Sequence, residues 1–223
     1  MKPRIVLKLG GRVAAGTADQ ALALKAAGYD VVVVHGAGPQ ITAEMERRGI
    51  SPTFIDGRRV TTPEIMEVVR ESLRAVNAAV CAALGPNAIG LAGDEIGLPA
   101  TRAPQLGLVG NPTPSAPAAV TDALAAGRIP VVAPLAAGPL NVNADEAAAA
   151  LAVGLGAERI LFVSDVPGVI LDDEVLPALP AAEADRLLGT GSFEGGIVPK
   201  LMAAVVAVRG GVQAEIGVTQ VVA

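Results

Sequence analysis

Short apolar runs alternate along this chain with longer stretches in which apolar residues return every three or four positions. The runs Arg4–Leu9, Val31–Val34, Ile129–Ala133 and Ile160–Ser164 have strand length. Val31-Val32-Val33-Val34 is unbroken and β-branched, which suits a strand covered on both faces. Helical spacing is plainest in Ile65, Val69, Leu73, Val76, Val80 and Leu84, opened by Thr62-Pro63-Glu64 and stopped by Gly85. This is the longest predicted helix, and its face suits core packing or a subunit interface equally. Thr17-Ala18-Asp19-Gln20 reads as a capping box for a helix that Gly28 ends. Further helices are predicted from Pro39 to Gly49, near Ala118–Ala126, over Ala144–Leu155 behind Asn143 as cap, and from Pro199 to about Gly210. Phe54–Val60 reads as a loop or short strand, and Ala214–Val222 as one or two short strands. The Gly-, Pro- and Thr-rich stretch Ala88–Pro117 predicts short antiparallel strands over or beside a site. Strands and helices in alternation imply an α/β fold with a parallel-rich sheet.

Composition narrows the chemistry. At 223 residues, 52% hydrophobic and only 2% aromatic, the chain builds an aliphatic core in one large or two-lobed domain. It has no run long enough to span a bilayer and no signal-peptide pattern, so a cytoplasmic protein with no membrane partner is expected. One cysteine, Cys81, and one histidine, His35, exclude a disulfide framework and a Cys/His metal cluster. A net charge of −5 argues against nucleic acid as a partner, while small anions respond to local charge. Lysine is scarce: Lys2, Lys8, Lys25 and Lys200 are the full set, and two of the four stand beside glycine pairs.

Those glycine pairs carry the candidate chemistry. Lys8-Leu9-Gly10-Gly11 and His35-Gly36-Ala37-Gly38-Pro39 each follow an apolar strand, where backbone amides can approach an anion. No G-x-x-x-x-G-K-[ST] occurs, Ile41 stands where a dinucleotide fingerprint needs its third glycine, and neither H-R-D nor D-F-G is present. What remains, in chain order, is those two loops, then Arg58-Arg59-Val60-Thr61, Asn141-Val142-Asn143-Ala144-Asp145, Ser164-Asp165-Val166-Pro167-Gly168 and Gly195-Gly196-Ile197-Val198-Pro199-Lys200. A parallel sheet gathers strand ends at one edge, so these clusters can converge.

This set in this order resembles the amino-acid kinase family over nearly the whole chain. Within it the likeness is greatest to the branch that phosphorylates the side-chain carboxylate of N-acetyl-L-glutamate with ATP in arginine biosynthesis. The resemblance implies a three-layer sandwich around a mostly parallel central sheet. It also implies an amino-acid lobe over residues 1–136 and a nucleotide lobe over 137–223, sharing one continuous sheet. It makes Lys8, Lys200 and Asp145 catalytic, the two lysines meeting the transferring phosphoryl group and Asp145 orienting them. Gly36, Ala37, Arg59, Asn141 and Asn143 fall on the substrate, with Arg59 suited to grip an α-carboxylate in two places. Gly10, Gly11, Asp165, Gly168, Ser192 and Glu194 fall on the nucleotide. Mg²⁺ is expected to bridge ATP oxygens without a carboxylate cage of its own. Arg58 is expected to be a solvated neighbour, and His35 a structural hydrogen-bonder.

The chain departs from that branch in places. Ala37 replaces the middle of three glycines, putting a methyl group near the phosphate. The chain starts at its first strand, which implies a homodimer insensitive to arginine. Only Val212–Ala223 follows Gly210-Gly211, where the family usually has a strand, a helix and a final strand. Two other readings share these residues: a kinase for carrier-protein-bound aminoadipate or glutamate, and a non-catalytic member of the fold that binds an amino acid or nucleotide.

Overall fold

The computed structural model describes residues 2–10, 17–163 and 166–223. The first half runs β1 (Arg4–Leu9), α1 (Thr17–Ala26), β2 (Asp30–His35), α2 (Gly38–Arg47), β3 (Phe54–Ile55), β4 (Arg58–Arg59), α3 (Pro63–Leu84), β5 (Ala88–Ala92), β6 (Ala100–Arg102) and β7 (Val109–Pro112). It continues with α4 (Ala118–Ala125), β8 (Ile129–Ala133), β9 (Leu135–Ala136), β10 (Leu140–Val142), α5 (Ala144–Gly154) and β11 (Arg159–Val163). The last part holds β12 (Ile170–Leu171), β13 (Glu174–Val175), β14 (Ala178–Pro180), α6 (Ala181–Gly189), α7 (Ile197–Arg209), β15 (Gln213–Ile216) and β16 (Thr219–Val222).

Eight strands form one sheet in the order β14-β16-β15-β11-β1-β2-β8-β5. Its ladders are parallel except where β15 meets β16. The two faces divide by strand parity. Ile5, Leu7 and Leu9, with Val31, Val33 and Val131, pack under α1, α2 and α3. Val6, Val32, Val34 and Val132 pack under α4, α5, α6 and α7. The result is the expected three-layer sandwich, with the unbroken valine run buried on both sides. Parity also puts Lys8 on the α5 face, beside Val6.

Helix α3 is capped as its sequence predicts. The Thr62 hydroxyl accepts from Ile65 N at 3.2 Å, and Pro63 occupies the first turn.

The stretch 88–117 departs from expectation in part. Ala88–Ala92 is no antiparallel strand over the site; it is a parallel edge strand of the main sheet, paired to β8. Its glycine looks like a breaker but serves close packing, because a Cβ on Gly90 would lie 2.2 Å from the Asn77 amide oxygen on α3. Antiparallel pairing does hold for β6 and β7, which join β10 and β9 in a four-stranded sheet. Helix α6 and the β12–β13 hairpin are additional elements. The hairpin turns on Asp172 and Asp173, both at positive φ (50° and 65°), which Asp tolerates better than most residues.

Candidate active site

Parallel strands deliver their carboxyl ends to one edge, and there a cavity of about 660 Å³ opens, within the range that holds small ligands. Lys8, near the end of β1, lines it and is only 5% exposed. Its Nζ lies 2.7 Å from Oδ1 of Asp145, which is equally buried in the first turn of α5. Burial pushes the Lys8 pKa down, Asp145 opposes that, and Lys200 adds a further downward push. The two ammonium groups therefore feel one another, and both face the same cavity. Lys200 lies in the first turn of α7, where Nζ donates to Gly196 O at 3.2 Å. Among the described residues, Asp145 forms its ion pair with Lys8 and forms none with Lys200.

Three helix amino ends meet at this cavity: α2 at Ala37-Gly38, α5 at Asn143-Ala144-Asp145, and α7 at Gly196. Helix dipoles there favour anions, and the first turns of α2 and α7 have no side-chain cap on their amides. Asn143 holds the α5 end in place, its Oδ1 accepting from Asp145 N (2.8 Å) and Glu146 N (3.2 Å). Ala37 adopts φ −143°, open to any L-residue, so its methyl group needs no left-handed backbone.

The far wall is built by the β3–β4 hairpin. Arg59 is 8% exposed, donates to Thr42 Oγ1 at 2.8 Å, and stacks 4.7 Å from the Phe54 ring centre. Among the described residues no carboxylate pairs with it, so its charge is available to the cavity. Asn141 lines the same space, with Nδ2 donating to Thr61 Oγ1 at 3.0 Å. Arg58 is not the solvated neighbour its sequence context implies. It donates to Asn111 Oδ1 (2.5 Å) and Gly110 O (2.7 Å) on β7, and its Nε lies 3.7 Å from Glu146 Oε1.

His35 is fully buried behind the loop. Asn77 Nδ2 donates to its Nε2 at 3.1 Å, which leaves Nδ1–H facing Gly36 O at 3.5 Å. Burial lowers its pKa to about 4, so it is neutral near pH 7 and acts as a brace.

The profile of the amino acid kinase family matches residues 3–217. The chain belongs to the amino acid kinase family. This amino acid kinase is 41% identical over 221 residues to an acetylglutamate kinase of Rubrobacter xylanophilus, covering 95% of the chain and 87% of that protein. It is 42% identical over 235 residues to the acetylglutamate kinase of Frankia casuarinae, covering 93% of the chain but 64% of that longer protein. The solved structure of smu.665 from Streptococcus mutans UA159 superposes with a TM-score of 0.89 at 28% identity, over 100% of this chain and 99% of that one. An N-acetylglutamate synthase from Neisseria gonorrhoeae, complexed with coenzyme A and N-acetyl-glutamate, reaches TM-score 0.83 at 23% identity over 99% of this chain and 59% of its own, a likeness of fold.

Nine of the residues singled out in this amino acid kinase's sequence share the cavity wall: Lys8, Gly10, Gly36, Ala37, Arg59, Asn141, Asn143, Asp145 and Lys200. Three do not. Gly168 is buried against Thr219 and Val175, where a Cβ would lie 2.5 Å from Thr219 Oγ1. Ser192 and Glu194 are exposed before α7, with the Ser192 hydroxyl 2.8 Å from that of Thr190. Gly11 and Asp165 lie outside the described residues, as does the Thr17 side chain on which the predicted capping box depends. Sequence reasoning missed the apolar part of the wall, where Ile41, Phe54, Leu73 and Val109 line the cavity. Nothing in their local pattern separates them from ordinary core or loop residues.

Proposed function

We propose that the chain is an acetylglutamate kinase, which moves the γ-phosphoryl group of ATP onto the side-chain carboxylate of N-acetyl-L-glutamate. The observation that carries this reading is the buried Lys8–Asp145 pair facing the same cavity as Lys200, at the meeting point of three helix amino ends. The names of relatives 41–42% identical support it.

In this reading a carboxylate oxygen attacks the γ-phosphorus. The bond from that phosphorus to the bridging oxygen breaks, and ADP leaves with the electron pair. The nucleophile is already ionised, so no general base is needed. The protein supplies position and charge. Lys8 and Lys200 meet negative charge on the transferring group from two sides, and Asp145 keeps Lys8 charged against its burial. Arg59 and Asn141 hold the amino-acid end, while the backbone at Gly10, Gly36 and Ala37 lines the phosphoryl region, with the Gly36 amide itself donating to Leu9 O at 3.0 Å. Gly11, Asp165, Gly168, Ser192 and Glu194 are assigned to the nucleotide by resemblance. Among the described residues no group of three or more His, Cys, Asp or Glu is gathered for a metal ion, and ATP itself would bring Mg²⁺ on its phosphate oxygens.

The remaining assignments belong to the same proposal: lobes at 1–136 and 137–223, a cytoplasmic location and a homodimer. No helix among the described residues is long and apolar enough to cross a membrane. The uncovered edge of β5 and the exposed face of α3 at Ala75, Ala78, Ala79 and Ala82 offer a dimer surface.

The test is trapping of the acyl phosphate by hydroxylamine, with ATP and N-acetyl-L-glutamate. The intact protein should give hydroxamate. Lys8→Ala should lower kcat by about 10²–10³, the usual cost of one transition-state charge donor. No hydroxamate from the intact protein would overturn the assignment.

A further inference from the structure

The β3–β4 hairpin that carries Arg59 is a weak element by itself. Its two strands have two residues each, paired Phe54 to Arg59 and Ile55 to Arg58. Phe54 and Ile55 are 52% and 43% exposed, and the turn uses Asp56 and Gly57 at positive φ. A hairpin of this size does not hold its shape unaided in water. Outside ties must fix it, and a single side chain supplies several. The Arg58 guanidinium reaches β7 through Gly110 O and Asn111 Oδ1, and reaches α5 through Glu146. Its Nε is buried with no hydrogen-bond partner, so the Glu146 carboxylate 3.7 Å away is the acid that answers its charge among the described residues. Glu146 in turn is desolvated. Burial raises its pKa, Arg58 lowers it, and Asp145 raises it again. Each charge is costly to bury without the other. Glu146 also follows Asp145, the partner of Lys8, in the first turn of α5.

We propose that Arg58 and Glu146 form a latch that holds the β3–β4 hairpin against the amino end of α5. Through it, the arginine facing the amino-acid end of the cavity is positioned relative to the Lys8–Asp145 pair. Arg58 and Glu146 are positioning residues. Arg59 touches the substrate, and its neighbour's charge is consumed in placing it. Both arginines line the cavity, but they have different jobs: Arg58 is answered by Glu146 and tied to β7, and Arg59 is, among the described residues, free of any carboxylate.

The kinetic arm of the test rests on the acetylglutamate kinase reading, and a second arm does not. In the kinetic arm, Arg58→Met should raise KM for N-acetyl-L-glutamate about tenfold, since small misplacements of a binding group weaken substrate capture. KM for ATP should stay within about twofold, because the latch holds the amino-acid wall. Glu146→Gln should move KM the same way by less, and Arg58→Lys should recover part of the loss. The double variant R58M/E146Q should be no worse than R58M, as expected for coupled groups. In the second arm, hydrogen exchange on the ligand-free protein should quicken at the amides of residues 54–60 in R58M and E146Q, with β1 amides unchanged. Unchanged exchange in the hairpin, unchanged KM in both single variants, or fully multiplicative effects in the double variant would each overturn the latch. If the intact protein forms no acyl phosphate, the function reading fails, and the exchange arm still decides the latch.

Discussion

At the scale of single residues, burial decides which charges are useful. Lys8 and Asp145 are both buried and face each other at 2.7 Å, so each makes the other tolerable in the interior. His35 is buried without a carboxylate and therefore stays neutral, held by Asn77. That has a consequence for stability. Its pKa falls from about 6.5 to about 4 on folding, so the unfolded chain binds a proton that the folded chain refuses. Stability from this residue is complete above pH 6.5 and is lost as pH falls towards 4, by a total of about 3 kcal/mol. His35→Gln keeps an acceptor for Asn77 and removes the titration. Urea unfolding at pH 7 and at pH 4.5 should show a smaller acid loss in H35Q than in the parent; equal losses would refute the role. The lysine–glycine loops were legible because lysine is so scarce in this chain. The division of labour between Arg58 and Arg59 was not, because two adjacent arginines look alike until their partners on β7, α5 and α2 are in place.

At the scale of elements, caps and glycines did much of the work that sequence reasoning assigned them. Thr62-Pro63 opens α3, Asn143 opens α5, and alternating burial on β1 and β2 follows from their apolar runs. Elements were missed where the local signal was short or ambiguous. Helix α6 buries only Ala181, Ala184 and Leu187, too few to stand out in an alanine-rich chain. In β5, Gly90 hides a strand because the glycine answers to α3 across the sheet and not to its own neighbours. A similar constraint acts at Gly154, the last residue of α5, where a Cβ would lie 2.1 Å from Ser115 N. Alanine is the better helix former there by about 1 kcal/mol, yet the clash with backbone outweighs it. Gly154→Ala should therefore lower stability by about 1–2 kcal/mol, the net of overpacking over propensity. A thermal melt checks the sign, and a raised Tm would refute the packing argument.

At the scale of the molecule, the sheet is continuous across the proposed lobes. Strand β1 pairs with β2 on one side and with β11 on the other, so its register with Arg159–Val163 crosses the division at 136/137. Val6, Val32 and Val34 are also covered by α5 and α7 from the later half. A fragment of residues 1–136 would leave β1 as an open edge with one bare apolar face. It should show no cooperative urea transition by circular dichroism, where the intact chain does; a sharp transition in the fragment would show the first half to be self-sufficient.

The chain's own pattern determined its central strands β1, β2, β8 and β11, its long helix, its α/β layering and the loops that bear Lys8, Arg59, Asn141, Asp145 and Lys200. These follow from periodicity, caps and glycine placement, which act over a few residues. Only the folded molecule decided that Lys8 and Asp145 pair in the interior, that Lys200 faces the same cavity, and that Arg58 is spent on Glu146 and β7. Those outcomes depend on which strand ends and helix starts meet at one edge of the sheet. Residues 8, 145 and 200 become neighbours through packing that no local stretch of sequence encodes.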